Sequence, residues 1–173
     1  MEIRSLHPSD DRSTFQSGDE ALDRFFHRYA GQNQFRHYLG VTYVVVERGR
    51  ILAFATVAPR HTDIEELPEQ MRRKLPRYPL PVLGLARLAV DQSVRSKGLG
   101  GQLLRFVLKL AAKLADEVGC IGVVVDAKPG AETFYSKYGF TAFELLEGES
   151  EARPRPRPMW LPIQVIKEVI EEK

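Results

Sequence analysis

The stretch Leu85-Ala86-Arg87-Leu88-Ala89-Val90-Asp91-Gln92-Ser93-Val94-Arg95-Ser96-Lys97-Gly98-Leu99-Gly100-Gly101-Gln102-Leu103-Leu104 decides the fold. An apolar run leads into a glycine-rich turn, and the turn opens a long amphipathic segment: strand, loop, helix. Gly98, Gly100 and Gly101 let the backbone come close to a ligand and take positive φ where needed. The first N–H groups of a helix have no intrahelical partner, and with the helix dipole they make a seat for phosphate. Arg95 and Lys97 add charge at the rim. Taken alone, the loop is equally consistent with a simple capping turn. It has neither the Gly-x-x-x-x-Gly-Lys-Ser/Thr of an NTPase nor the placement of a dinucleotide fingerprint, which opens the first βαβ unit.

Outward from this stretch, Val82–Asp91 reads as a central strand. Gly98–Val118 reads as a helix with Leu99, Leu103, Leu104, Val107, Leu110, Ala111 and Leu114 on one stripe. Gly119 is its C′ residue. Cys120–Ala127 is a near-continuous apolar run, a strand buried on both faces and parallel to the central one across a right-handed crossover. Lys128-Pro129-Gly130 turns the chain, Ala131–Tyr138 is a short helix ended by Gly139, and Phe140–Leu146 alternates as a strand. Glu147–Glu151 is acidic and reads as mobile. Arg153–Pro158 reads as extended polyproline, Met159-Trp160-Leu161 as a last strand, and Pro162 as the start of a C-terminal helix.

Upstream, Met1–Leu6 is a short strand and Ser17 with Glu20 forms a capping box. A helix spans about 18–30, broken by Gly31, and 32–39 is a short helix or loop. Val41–Glu47 and Ile51–Val57 around Arg48-Gly49-Arg50 make a hairpin ended by Pro59. Residues 60–81 read as a surface insertion with one helix started by Pro68. The chain is expected to be a single domain over 1–173, with 152–173 adding the Arg-Pro segment and final helix.

The 173 residues suffice for one domain with a real core. A net charge of +2 permits nucleic-acid binding without demanding it. The lone Cys120 can form no internal disulfide and suits a reducing cytoplasm; in its apolar run it is a core residue. No apolar run reaches the ~20 residues of a membrane span, so no membrane association is expected. His7, His27, His37 and His61 are scattered and read as surface residues. No Cys/His cluster has metal-ligand spacing, so no metal is expected.

Leu88-Ala89-Val90-Asp91, Arg95-x-x-Gly98-x-Gly100 and Ala131-x-x-Phe134-Tyr135-x-x-x-Gly139-Phe140 occur in this order and resemble the GNAT acetyltransferase superfamily. More narrowly, Phe15-x-Ser17-Gly18, Leu22-Asp23, Ala30-x-Gln32-Asn33, Leu85–Asp91 and Val125-Asp126-Ala127 resemble the tRNA-acetylating toxins of bacterial type II toxin–antitoxin pairs. The resemblance implies an α/β fold: a mixed, mostly antiparallel sheet of six or seven strands flanked by helices, with strands four and five splayed. It implies acetyl-CoA as cosubstrate. Its pantetheine arm would pair with backbone groups of Leu88, Ala89 and Val90, its pyrophosphate would meet N–H groups of Arg95, Ser96, Lys97, Gly98, Leu99, Gly100, Gly101 and Gln102, and Phe134 would pack on it or belong to the core. It implies a cytoplasmic enzyme that acetylates a primary amine, with aminoacyl-tRNA as candidate acceptor, a ribbon-helix-helix antitoxin as candidate partner, and a homodimer as candidate assembly. A small amine, a protein N-terminus, or a non-catalytic acyl-CoA-binding role stay open.

The chemistry then needs three things. A backbone N–H in Leu88–Val90 would meet the developing oxyanion. Tyr135, with an ordinary pKa of about 10 against ~8.5 for a thiol, would stay protonated and donate to the leaving sulfur. The third need is a neutral amine. An α-amine, with pKa about 8, loses its proton with about 3 kcal/mol less work than a lysine near ~10.4. With no residue in an evident base position, an α-amine acceptor fits best. Arg24, Arg28, Arg36, Arg72, Arg73, Lys74 and Arg77 are the candidates for meeting phosphates, although a charge run is also simply a solvated face.

Overall fold

The structure is a computed structural model that describes residues 1–63, 67, 69–143 and 157–171. Seven strands form one mixed sheet in the order β1-β2-β3-β4-β5-β7-β6. They are β1 (Glu2–Ser5), β2 (Val41–Glu47), β3 (Arg50–Thr62), β4 (Leu80–Val90), β5 (Gly122–Ala127), β6 (Thr141–Ala142) and β7 (Arg157–Pro162). The helices are α1 (Glu20–Arg24), α2 (Ala30–Phe35), α3 (Glu69–Arg72), α4 (Leu99–Glu117), α5 (Glu132–Ser136) and α6 (Ile163–Glu171). Strand β4, helix α4 and strand β5 form the expected crossover, which makes neighbours β4 and β5 parallel. By packing, the chain divides into Met1–Ala58 with Leu85–Val107, and Pro59–Gly84 with Leu108–Lys173.

In the first unit, β1 and β2 pair antiparallel, as do β2 and β3, with a register shift at Val45/Val46. The core is aromatic. The Phe26 and Phe54 rings stack at 4.3 Å, and Phe15 meets both edge-on at 5.0 and 5.3 Å. All three are buried, and each contributes about 1.5–3 kcal/mol by leaving water. The helix that carries Phe26 differs from expectation at three points. Its N-cap is Asp19, whose side chain accepts from Leu22 N–H at 3.1 Å. Ser17 instead donates to Asp23 at 2.6 Å, which takes the expected capping box apart. Gly31 does not break the helix: α1 runs through a π-helical turn, Phe25–Tyr29, directly into α2. There the Phe26 carbonyl accepts from the Arg12 guanidinium at 2.8 Å, and Gly31, lacking a Cβ, leaves that guanidinium its room. Pro59 does not end β3 either. The last β2 partner is Val57, opposite Val41, so the missing Pro59 N–H costs no bond to β2.

In the second unit, β7 lies between β5 and β6, antiparallel to both. Arg157 and Pro158 belong to this strand, not to a polyproline segment, and Pro162 is its last residue, with α6 starting at Ile163. Trp160, buried, stacks near Phe143 at 6.1 Å and anchors a core with Leu67, Leu80, Val82 and Val124, against which Met71 and Leu75 pack. Of residues 60–81, the ends therefore belong to β3 and β4, and α3 packs on this core. Cys120 is buried and donates to the Gly122 carbonyl at 3.2 Å, a core role as expected. Pro68, the acidic 64–66, the end of the 140–146 alternation, the acidic 147–151 and the Arg-Pro residues 153–156 lie outside the described residues. Among the described residues no helix is long and apolar enough to cross a membrane.

Candidate active site

The glycine-rich loop is held from below by one carboxylate. Asp91 is 3% exposed and follows β4. Its Oδ2 accepts from Gln16 N–H at 3.0 Å; its Oδ1 accepts from Ser93 N–H at 3.0 Å, Ser93 Oγ at 2.7 Å and Arg50 at 3.1 Å. Its own N–H donates to Leu52 O, and the next N–H, of Gln92, donates to Gln16 O, both at 2.8 Å. Burial opposes the charged form, but the bonds from Gln16 and Ser93 and the Arg50 charge prevail, and the carboxyl stays below its ordinary range. Asp91 thus ties the N-terminal segment, the hairpin and the loop together.

From this clamp the chain makes a 3₁₀ turn, Gln92–Val94, then exposes Arg95–Gly98 before α4 begins at Leu99. Two residues take left-handed backbone: Gly98 at φ +78°, as the loop requires, and Ser96 at φ +67°. Gly100 and Gly101 do not; they sit in the first turn of α4, and the Gln102 N–H, expected to face the pyrophosphate, instead donates to Gly98 O at 3.1 Å as the helix's first internal bond. Alternation of left-handed residues turns successive N–H groups to one side, which is the geometry of an anion-binding nest. Nothing lies within 4 Å of where a Gly98 Cβ would stand, so the space beside it is open to a ligand. These features fit a pyrophosphate. Arg95 behaves differently from expectation, because its guanidinium donates to the Ser17 carbonyl, and its charge is turned toward the N-terminal segment. Lys97 remains exposed on the loop. On β4, Ala89 is buried, and Leu88 and Val90 are half-buried on the opposite face.

In the second unit, Tyr135 sits on α5, 6% exposed. Its ring packs edge-on against Phe134 at 5.1 Å and Phe140 at 5.5 Å; Phe134 is half-buried and also faces Tyr138 at 5.6 Å. Burial pushes the Tyr135 phenol up to about 12. A phenol so displaced is a firmly protonated donor at neutral pH.

The other groups are mostly peripheral. His7, His37 and His61 are exposed, but His27 is half-buried and its Nε2–H donates to Phe15 O at 2.8 Å, so it serves the fold. Arg24, Arg28, Arg36, Arg73, Lys74 and Arg77 are exposed; Arg73 pairs with Glu69 at 2.9 Å, and Arg72 is half-buried. Among the described residues no cluster of His, Cys, Asp or Glu is built to hold a metal. The sequence reading missed Asp91 as the loop's clamp and passed over Arg87, although a charged side chain inside an apolar strand is itself a signal.

A strand–nest–helix unit of this kind, followed after a parallel crossover by a short helix bearing a buried phenol, defines an acyl-CoA-dependent acyltransferase. Residues 39–142 match the model of the acetyltransferase (GNAT) domain, and the chain belongs to that family. It is an N-acetyltransferase that uses acetyl-CoA. Among curated proteins it is 32% identical over 140 residues to the tRNA-acetylating toxin of Mycobacterium tuberculosis, covering 79% of this chain and 82% of that one. Among solved structures, it matches AtaT complexed with acetyl-methionyl-tRNAfMet at a TM-score of 0.84 and 24% identity, over 97% of this chain and 98% of that one. A Tyr-to-Phe variant of AtaT, bound to the C-terminus of the antitoxin AtaR and acetyl-CoA, matches at a TM-score of 0.79 and 21% identity, over 99% and 98%. These two likenesses carry the fold.

Proposed function

We propose that this enzyme acetylates the α-amine of an amino acid esterified to tRNA, acting as a toxin. The observation that carries the reading is the 32% identity to a tRNA-acetylating toxin over most of both chains. An α-amine acceptor also suits a chain in which, among the described residues, no side chain stands in an evident base position.

Acetyl-CoA supplies an activated acetyl thioester. In this reading the N–H groups of Ser96–Gly101 hold its pyrophosphate, with Lys97 adding charge, while Arg95 orders the loop from the Ser17 side. The backbone of Leu88–Val90 pairs with the pantetheine arm, and one of its N–H groups donates to the oxygen on which charge develops. Phe134 packs beside the thioester. The amine nitrogen bonds to the carbonyl carbon and the carbon–sulfur bond breaks. Tyr135 gives its proton to the departing sulfur, water takes the proton shed by the nitrogen, and Tyr135 is reprotonated from solvent. Arg72, Arg73, Lys74 and Arg77, with Arg24, Arg28 and Arg36, meet the tRNA phosphates. Basic residues of either unit would accept an acidic antitoxin; a ribbon-helix-helix protein, a homodimeric enzyme and a cytoplasmic setting complete the proposal.

Labelled acetyl-CoA offered with three acceptor pools tests it: charged tRNA, polyamines and other small amines, and protein extract. Label in charged tRNA alone is expected; label only in another pool refutes the reading. Reversing Arg72, Arg73 and Lys74 to glutamate should leave acetyl-CoA binding intact and cut tRNA acetylation by several orders of magnitude. Undiminished acetylation at physiological salt would remove the phosphate-binding role.

A further inference from the structure

The first unit contains a cavity of about 120 Å³ walled in part by Phe25, Asn33, Gln34, Thr42, Thr56 and Arg87. It has room for about four water molecules, or an acyl group with a short side chain. Most of its polar lining is already committed. Gln34 Oε1 accepts from Thr42 N–H at 2.8 Å and its Nε2 donates to Leu6 O at 3.3 Å. Thr42 and Thr56 share a buried hydroxyl–hydroxyl bond of 2.7 Å. Two groups are left over. The Asn33 side chain makes no hydrogen bond among the described residues, and no carboxylate there pairs with Arg87.

Arg87 is half-buried and is held instead by Phe25, whose ring centroid lies 3.7 Å from the guanidinium carbon. Stacking uses the flat face of the guanidinium and leaves the N–H fork at its edge unspent. Burial depresses its pKa, the mark of a cation that has given up water without gaining an anion. Five donors with no acceptor, joined by one carboxamide, select a ligand rich in acceptor oxygen. Arg87 also directly precedes Leu88, the first residue assigned above to the thioester arm. A carbonyl next to the attacking amine is the acceptor oxygen that an α-aminoacyl substrate brings to that place.

We propose that this cavity receives the carbonyl end of an α-aminoacyl acceptor, its oxygen held by Arg87 and Asn33. The inference rests on the α-amine reading, and the oxygen could come from the ester of a charged tRNA or the carboxylate of a free amino acid.

The test compares acetylation of aminoacyl-tRNA, of the corresponding free amino acid and of a carbonyl-free aliphatic amine by the wild type, Arg87→Met, Arg87→Lys and Asn33→Ala. Loss of a charge-assisted bond should raise KM for the α-aminoacyl acceptor about 10- to 100-fold in Arg87→Met. The KM for acetyl-CoA should move far less, and the loss on the carbonyl-free amine should be smaller by that same factor. Arg87→Lys keeps charge and stem but lacks the fork, should fall between, and carries the test if the methionine variant unfolds. Acetylation of the free amino acid and not of charged tRNA, still dependent on Arg87, would uphold the cavity and overturn the tRNA reading. Equal losses on all acceptors, unchanged KM in every variant, or activity on the carbonyl-free amine alone would overturn the cavity's role.

Discussion

Replacing Tyr135 by phenylalanine removes one hydroxyl and keeps a ring packed between Phe134 and Phe140. Two effects follow. If the phenol protonates the departing sulfur, kcat should fall by about 10²- to 10⁴-fold, the usual worth of a general acid, with acetyl-CoA affinity kept. The second effect is on stability in alkali. The phenol moves from an ordinary 10 up to about 12 in the folded chain because it is buried. Below pH 10 it is neutral in both states and costs nothing; between pH 10 and 12 it ionises readily only when unfolded. A gap of this size corresponds to about 3 kcal/mol of stability lost across that window. Urea unfolding of wild type and Tyr135→Phe at a series of alkaline pH values should therefore show the wild type losing more, with the two converging at neutral pH. Single-turnover kinetics with the true acceptor measures the first effect. Parallel pH curves would refute the burial argument, and an unaltered kcat would refute the assignment of Tyr135 as the acid.

Asp91→Asn should destabilise the chain by about 1.5–3 kcal/mol, because an amide nitrogen would face a donor where Oδ2 or Oδ1 now accepts. It should also weaken acetyl-CoA binding through a looser loop; urea titration and calorimetry measure the pair, and unchanged stability would show that the clamp is idle. Since the Asp91 carboxyl is lowered on folding, its contribution is present above the ordinary carboxylate range and is lost as pH falls through the lowered value. Gly122→Ala should lower the melting temperature and cost at least about 1–3 kcal/mol, since its Cβ would stand 2.4 Å from the Leu161 backbone oxygen, which cannot move without opening the β5–β7 ladder. A melting curve that superimposes on the wild type's would contradict that packing.

Much of this molecule is written in local pattern. Apolar periodicity marked α4 within one residue at each end, and nearly continuous apolar runs marked β4 and β5, because a helix stripe and a largely buried strand each demand their own spacing. The glycine-rich turn and the Phe134-Tyr135 helix were legible for the same reason: both are short motifs whose residues act close to where they stand in the chain. Local pattern failed where a distant group intervened. Gly31 continues a helix because Arg12, far back in the chain, satisfies a carbonyl there; Pro59 stays in a strand because β2, its neighbour on one side, has already ended; Pro158 joins β7 because β5 and β6 flank it. Long-range contacts likewise turned Arg95 toward Ser17, made Asp91 the anchor of the loop and left Arg87 stacked on Phe25 beside an open cavity. The sequence by itself determined which segments become strand, loop and helix, since those choices depend on neighbours a few residues away. The tertiary structure alone decided which polar groups are already paired and which remain free for a substrate, because hydrogen-bond partners are assigned in space.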